Sequence, residues 1–144
     1  MLMDNPSAQT TQAGARVALI AGATGLVGAA LLSQLRQDSL YHELIVTGRR
    51  PPAEPAGLRF VASSKLSPSP ADIGARVDDA FCCLGTTLRK AGSRAAFEQV
   101  DFHLVLAFAR AARAAGARRF IVVSSIGAAP SAMSFYLRVK SRME

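Results

Sequence analysis

Tyr136 and Lys140 are the residues whose types and spacing most directly suggest chemistry in this sequence. They lie four residues apart, and on a helix that spacing places both side chains on one face. At about 4 Å and an effective dielectric constant of about 20, a lysine ammonium would favour a tyrosine phenolate by about 4 kcal/mol. A tyrosine supported in this way can exchange a proton with a carbonyl or alcohol oxygen. The spacing is also common by chance, and the alternative is a tyrosine packed on a sheet beside an exposed lysine.

Ser125 is the third candidate catalytic residue, because it ends an apolar run just ahead of the tyrosine. Ligands bind beyond the carboxyl ends of the strands in open parallel sheets. A hydroxyl at such a strand end can hydrogen-bond to the same substrate oxygen and polarise it. Ser124 is the weaker candidate, since alternation along the strand turns its side chain away. The predicted catalytic set is therefore Ser125, Tyr136 and Lys140.

A glycine-rich turn near the N-terminus predicts a binding site for a phosphate group. Gly22, Gly25 and Gly28 follow an apolar run and open a helical pattern, so backbone N–H groups at the helix N-terminus can face a pyrophosphate. The first glycine permits the tight turn, the second allows close approach of the phosphates, and the third allows helix and strand to pack closely. The alternative is a turn that only connects the two elements. The predicted cofactor-binding residues of this turn are Gly22, Thr24, Gly25, Leu26, Val27 and Gly28.

Arg49 and Arg50 follow the second predicted strand, at the position where an acidic side chain would bind an adenosine ribose 2′-hydroxyl. A guanidinium at that position can instead bind a 2′-phosphate through two charge-assisted hydrogen bonds. The sequence therefore predicts NADP(H) as the preferred cofactor over NAD(H). The alternative for this pair is a solvated basic turn before two prolines.

Strand and helix patterns alternate along the chain. The alternation predicts a parallel sheet with right-handed crossovers, hence a doubly wound α/β fold with strand order 3-2-1-4-5. Residues 1–14 are polar and without periodicity, and are predicted to be a disordered leader before one domain at 15–144. The predicted strands are 16–21, 43–48, 58–62, 77–84 and 119–124, and the predicted helices are 26 to about 37, 94–115 and one from about 134.

Composition restricts the classes of function. The chain has 144 residues and a net charge of +7, but its basic residues are dispersed, which makes nucleic acid an improbable partner. Cys82 and Cys83 are adjacent on a predicted strand, so a disulfide between them is not expected. Without a disulfide framework or a secretion signal, the sequence predicts a cytoplasmic location. An uncharged run at 17–35 is interrupted by glycines and is not a membrane span, and no spacing suited to a metal is present.

The sequence resembles the short-chain dehydrogenase/reductase superfamily, in particular its atypical, extended-like branch. It is most similar to the Tat-interacting-protein family of NADPH-binding oxidoreductase-like proteins and their small bacterial relatives. The resemblance runs from Val17 to Glu144, and its most specific segment is Cys-Cys-Leu-Gly-Thr-Thr at 82–87. Other matching segments are 22–28, 47–50, 122–128 and 136–140.

The resemblance implies a Rossmann-like fold and roles for further residues. Leu84, Gly85 and Thr86 would border a ribose of the cofactor, and Lys140 would also bind the nicotinamide ribose. Asp101 stands where many extended members have an asparagine, so a water relay through that side chain is not expected. Family members continue beyond the Tyr-Lys helix, which implies a C-terminally short fold here, with one exposed sheet edge and a partly open nicotinamide pocket.

The resulting hypothesis is an NADP(H)-binding oxidoreductase-like protein that interconverts a carbonyl and an alcohol with Ser125, Tyr136 and Lys140. The alternative is a non-catalytic dinucleotide sensor or regulatory scaffold that uses the same pocket. The sequence predicts a small-molecule substrate without indicating its identity, and it does not indicate the oligomeric state.

Overall fold

The computed structural model describes residues 16–144. The predicted leader at 1–14 lies outside these residues. The described chain forms one parallel five-stranded sheet in the order β3-β2-β1-β4-β5, and the predicted topology is therefore confirmed. The strands are β1 Arg16–Ala21, β2 Tyr41–Gly48, β3 Arg59–Ala62, β4 Asp79–Cys82 and β5 Arg119–Val122.

Helices lie in every connection between successive strands except that from β2 to β3, and one more helix follows β5. The helices are α1 Leu26–Leu35, α2 Pro70–Ile73, α3 Leu88–Ala91, α4 Arg94–Glu98, α5 Val105–Ala114 and α6 Phe135–Met143. The segment Gln99–Leu104 between α4 and α5 is π-helical. The prediction of one regular helix at 94–115 is wrong in this respect. The apolar spacing of that region fits an α-helix, and a π-helical turn inserts an extra residue without changing the composition.

Side chains of β1 alternate between the two faces of the sheet, which gives the fold its two cores. Leu19 and Ala21 pack with Val105 and Phe108 on one face. Ile20 packs on the opposite face, in a cluster that includes Leu32, Leu35 and Val46. Because both faces are covered, β1 is apolar from Val17 to Ala21 and has no polar side to place in water.

Strands β4 and β5 are shorter than predicted. The sequence patterns at 77–84 and 119–124 continue beyond the strands, which end at Cys82 and Val122. One further backbone hydrogen bond extends each ladder, from Cys83 to Ala21 at 2.9 Å and from Val123 to Cys82 at 3.1 Å. The chain then leaves the sheet for loops that retain apolar residues, and the loop after β4 lines the groove described below.

Asp79 anchors the amino edge of the sheet, opposite the end that carries the glycine turn. Its carboxylate is 1% exposed. Arg119 donates two hydrogen bonds to it, one at 2.7 Å, and Tyr41 donates another at 2.8 Å. Arg16 lies 3.4 Å away. One buried charge therefore joins β1, β2, β4 and β5.

The hydrogen bonds from Arg119 hold the pKa of Asp79 below its usual value, and the bond from Tyr41 acts in the same direction. Burial, followed by the bond to Asp79, raises the pKa of Tyr41 to about 12. A carboxyl whose pKa is lower in the folded than in the unfolded state stabilises the fold above its unfolded value of about 3.9. That contribution is lost as the pH falls through the folded-state pKa.

We expect Asp79→Asn to lower the free energy of unfolding at pH 7 by about 1–3 kcal/mol, because it weakens charge-assisted hydrogen bonds to a buried group. The variant should also lose part of the decline in stability that the wild type shows below about pH 4. Urea unfolding between pH 3 and pH 7 measures both effects. Glu54→Gln is the control, because that side chain is 86% exposed in its ion pair with Arg36. Equal acid sensitivity of Asp79→Asn and the wild type would contradict the assignment.

Candidate functional site

The glycine turn brings three backbone segments unusually close together. Gly22 has φ of +78°, and a Cβ atom there would lie 2.6 Å from the carbonyl carbon of Cys83. A Cβ atom on Gly28 would lie 2.1 Å from the carbonyl oxygen of Gly22. Both distances are far below any tolerable contact. A side chain at Gly22 would push the turn away from the segment after β4, and one at Gly28 would push α1 away from the turn.

Gly25 serves a different purpose in the same turn. Its φ is −82°, and a Cβ atom there would lie 3.5 Å from the carbonyl oxygen of Gly22, which is an ordinary contact. The backbone would therefore accept a side chain. The missing Cβ instead leaves open space over the start of α1, on the exposed side of the turn.

The N-terminus of α1 is suited to an anion. Gly25 is the N-cap, and among residues 16–144 no side chain caps this helix. The first turn also has no acidic residue. The N–H groups of the first turn have no partner within a helix, and they carry the positive end of the helix dipole. Leu26 and Val27 are 91% and 51% exposed, so the start of the helix opens outward.

A groove of about 440 Å³ lies at the carboxyl ends of β1, β2 and β4. It contains most of the predicted cofactor-binding residues. These are Gly22, Thr24, Gly25, Arg49, Arg50, Leu84 and Gly85. Its other lining residues are Ala23, Val46, Thr47, Gly48, Ser64, Leu66, Cys83, Gln99, Val100 and Leu104. The lining residues in the described part of the chain include no carboxylate, and Arg49 and Arg50 are both exposed at its rim.

A neighbouring pocket of about 410 Å³ lies between α1 and the segment at 52–54. It shares only Ala23 and Thr24 with the groove, and the ion pair between Arg36 and Glu54 lines it. Since it includes neither Gly22 nor Gly25, it does not face the open helix N-terminus. The groove is the better candidate for a dinucleotide.

Thr86 is held by a side chain that the sequence analysis did not select. Its N–H donates a hydrogen bond of 2.9 Å to Oδ2 of Asp101, a fully buried residue in the π-helical segment. Oδ1 of Asp101 lies 2.8 Å from the ammonium of Lys140. Asp101 lies four residues after Phe97, on the apolar side of the helical pattern. That position could have indicated from the sequence that its carboxylate is buried.

None of the three predicted catalytic residues is among the described residues that line the groove. Lys140 is 3% exposed, and its ammonium also donates to the carbonyl of Val123 at 3.3 Å. That ammonium lies 5.9 Å from the ring centroid of Tyr136, which packs against Phe97. In the described residues, no hydrogen bond joins the hydroxyl groups of Ser125 and Tyr136. The Ser125 hydroxyl instead donates to the carbonyl of Ile126 at 3.5 Å.

The two cysteines are poor nucleophiles in this environment. Burial raises the pKa of Cys82 to about 11 and also raises the pKa of Cys83. A thiol with a raised pKa is mostly protonated near neutral pH, and the thiolate is the reactive form. We therefore assign no covalent chemistry to them, although Cys83 lines the groove.

Comparison with known proteins agrees with this geometry. The family model described as NAD(P)H-binding matches residues 22–144, which include the glycine turn, the groove and α6. The chain belongs to the NAD(P)H-binding family. The predicted resemblance to the short-chain dehydrogenase/reductase superfamily, and within it to the Tat-interacting-protein family, is confirmed. Binding of a nicotinamide dinucleotide is confirmed at the level of NAD(P)H.

Two relatives illustrate the range of this family. The chain is 37% identical over 132 residues to Protein HTATIP2 of Rattus norvegicus, covering 87% of this chain and 53% of that protein. It is 33% identical over 131 residues to the mitochondrial protein FMP52-1 of Scheffersomyces stipitis, covering 88% of this chain and 58% of that protein. The chain therefore spans little more than half the length of these relatives.

Solved structures of low sequence identity share the fold. UDP-glucose 4-epimerase of Thermotoga maritima superposes with a TM-score of 0.67 at 15% identity, covering 88% of this chain and 48% of that one. A short-chain dehydrogenase/reductase superfamily protein from Agrobacterium tumefaciens, solved with bound NAD, has a TM-score of 0.65 at 22% identity. That match covers 88% of this chain and 42% of that one.

The predicted cytoplasmic location is contradicted. Relatives from Scheffersomyces stipitis, Debaryomyces hansenii and Eremothecium gossypii are named as mitochondrial proteins. The prediction used unpaired cysteines and the lack of a secretion signal. Those features argue against an oxidising compartment but do not distinguish one reducing compartment from another. Among the described residues, no helix has the length and apolarity to cross a membrane.

We expect Gly25→Ala to fold with nearly wild-type thermal stability but to lose at least about tenfold in NADPH affinity, because its methyl group enters the space left for phosphate. Gly22→Ala should instead destabilise the fold itself, since it combines a backbone clash with a positive φ. Gly92→Ala is the control for positive φ alone, because a Cβ atom there meets nothing within 4 Å. Thermal unfolding and calorimetric titration measure the two properties. Unchanged NADPH affinity in Gly25→Ala would contradict the phosphate assignment.

Proposed function

We propose that this chain provides the NADP(H)-binding part of an oxidoreductase that interconverts a carbonyl and an alcohol on a small molecule. The observation that supports this proposal most is the pairing of an uncapped helix N-terminus with two exposed arginines on one groove. A pyrophosphate fits against the first turn of α1, and the space over Gly25 receives it.

Arg49 and Arg50 support the preference for NADP(H) over NAD(H). They follow β2 directly, at the strand end where adenosine ribose recognition occurs in this fold. The carbonyl of Gly48 accepts a hydrogen bond of 2.8 Å from Ser63, which ties the base of this turn to the end of β3. A guanidinium pair on such an anchored turn is suited to a 2′-phosphate.

A bound reduced nicotinamide would supply the hydride for such a reaction. In the proposed site, Tyr136 delivers the proton to the substrate oxygen, and the ammonium of Lys140 lies 5.9 Å from the centroid of the tyrosine ring. Ser125 would orient the same oxygen through its hydroxyl. These roles require Ser125 to exchange its bond to the Ile126 carbonyl for one to the substrate, which a side-chain rotation permits.

A non-catalytic dinucleotide sensor is the second candidate function. It is favoured by the engagement of Lys140 in a buried ion pair and by the separate hydrogen bonding of Ser125. A sensor needs only the groove, the glycine turn and the arginines, all of which are arranged for binding. The two candidates differ in whether Tyr136 exchanges a proton.

We expect the double variant Arg49→Ala, Arg50→Ala to weaken NADPH binding about 10- to 100-fold, because it removes charge-assisted hydrogen bonds to the 2′-phosphate. NADH affinity should change by less than about threefold, since NADH has no such phosphate. Calorimetric titration at fixed ionic strength compares the two cofactors. Arg110→Ala removes an exposed charge from α5, outside the groove, and is the matched control. Equal losses for NADPH and NADH would contradict the NADP(H) preference.

We expect Tyr136→Phe to reduce NADPH-dependent turnover of small aldehydes and ketones at least about 100-fold, because it removes the proton donor. The dissociation constant for NADPH should stay within about twofold, since the ring and its packing are retained. Stopped-flow absorbance and fluorescence titration provide the two quantities. Wild-type binding without turnover across a broad carbonyl panel would favour the sensor and contradict catalysis.

A further inference from the structure

Asp101 is a buried carboxylate for which the proposed chemistry has so far provided no role. Four polar or charged residues are buried in the described part of the chain, namely Thr47, Asp79, Asp101 and Lys140. Thr47 donates to the carbonyl of Val61, and Asp79 has its arginine and tyrosine partners. Asp101 and Lys140 remain, and they are paired with each other.

The contacts of Asp101 join three separate parts of the fold. Its Oδ2 accepts the Thr86 N–H from the loop after β4. Its Oδ1 lies 2.8 Å from the Lys140 ammonium on α6, which also donates to the carbonyl of Val123 at the end of β5. A Cβ atom on Gly85, a lining residue of the groove, would lie 3.7 Å from Oδ1. The carboxylate is therefore directly behind the groove wall.

The pair is not aligned for a full hydrogen bond. Oδ1 of Asp101 is buried and has no hydrogen-bond partner among the described residues, although the ammonium is close to it. Removing two charges from water is costly, and a buried pair often contributes no more stability than apolar side chains of similar size. Stability alone is therefore a weak reason for this pair.

The π-helical segment explains how Asp101 reaches this position. A π-helical turn changes the direction of the side chains that follow it, and such turns are frequent at functional sites. Here it interrupts the helix between Glu98 and Val105 and directs a carboxylate toward α6 and the loop after β4. A regular α-helix through these residues would present a different set of side chains to the groove.

We propose that Asp101 is a positioning residue. It fixes the positions of Lys140 and of the loop that contains Thr86 on the nicotinamide side of the groove. The proposal rests on the proposed function, because Lys140 and the loop at 84–86 matter only if a dinucleotide binds there. Asp101 itself touches no cofactor. It acts through the ammonium of Lys140 and the N–H of Thr86.

The adenosine and nicotinamide halves of the cofactor give a direct test. Asp101→Asn retains an oxygen for the Thr86 N–H but removes the charge that holds Lys140. We expect NADPH affinity to fall about tenfold, whereas affinity for 2′,5′-ADP stays within about twofold, because 2′,5′-ADP occupies only the half bordered by the arginines. Equal losses for both ligands, together with a lower melting temperature, would show a structural role and overturn the proposal.

Glu98→Gln is the matched control. Glu98 pairs with Arg142 at 2.5 Å, so this ion pair joins the same helical segment and α6 at a more exposed position. The variant should leave the affinities for NADPH and 2′,5′-ADP both unchanged. If Glu98→Gln lowered the affinity for NADPH but not for 2′,5′-ADP, any ion pair between the helical segment and α6 would support NADPH binding. That result would overturn the specific role of Asp101.

A double-mutant cycle with Lys140→Met tests whether Asp101 acts through Lys140. The double variant Asp101→Asn, Lys140→Met should bind NADPH within about twofold of Lys140→Met alone, whereas independent effects would multiply. The double variant leaves no unpaired buried charge, so its NADPH affinity can be measured even if Asp101→Asn alone does not fold. A much weaker affinity than that of Lys140→Met would overturn the proposal. If the wild type binds neither NADPH nor 2′,5′-ADP, the proposed function itself fails.

Discussion

The glycine turn lies in close contact with the first helix and with the segment after the fourth strand, and this packing determines where the groove forms. Gly22 lies against the backbone of Cys83, and Gly28 lies against the carbonyl of Gly22. These contacts fix the N-terminus of α1 beside the ends of β1 and β4. Because neither position has room for a side chain, the groove and the helix dipole are set by the backbone, and the lining side chains add selectivity to a surface that already favours an anion.

Charge is distributed unevenly between the two edges of the sheet. At the amino edge, Asp79 is surrounded by Arg16, Arg119 and Tyr41, which together form a closed cluster. At the carboxyl edge, Arg49 and Arg50 are exposed above a groove whose described lining has no carboxylate. In the first arrangement the arginines are paired with a buried carboxylate and stabilise the fold. In the second the arginines face solvent and are available to a ligand. The net charge of +7 alone would not have distinguished these two uses.

Much of the fold follows from local sequence rules. The apolar strands, the glycine turn and the alternation of elements lead to the strand order found, because parallel crossovers allow few alternatives. The π-helical segment did not follow, since its apolar spacing also fits a continuous α-helix. The sequence analysis noted Asp101 only because many similar proteins have an asparagine at that position. Its buried ion pair with Lys140 joins residues 39 positions apart in the sequence, and no local pattern encodes such a contact.

Part of the candidate site could be predicted from the sequence, and part could not. Seven of the predicted cofactor-binding residues line the groove, because helix N-termini and strand ends have characteristic residue types. The lining residues from the π-helical segment, such as Gln99 and Val100, were not predicted. The relation between Ser125, Tyr136 and Lys140 was not, since it depends on how α6 packs on the sheet and on which partners Lys140 finds there. Cellular location was beyond the reach of composition, because free thiols and a polar N-terminus are compatible with more than one compartment.

A crystal structure of the protein with NADP⁺ bound would show directly whether the groove holds the cofactor and where its phosphates lie. We expect the pyrophosphate to lie against the first turn of α1 over Gly25, and the 2′-phosphate to lie between the guanidinium groups of Arg49 and Arg50. A groove that stays empty at saturating NADP⁺, or an adenosine phosphate directed away from both arginines, would contradict this expectation.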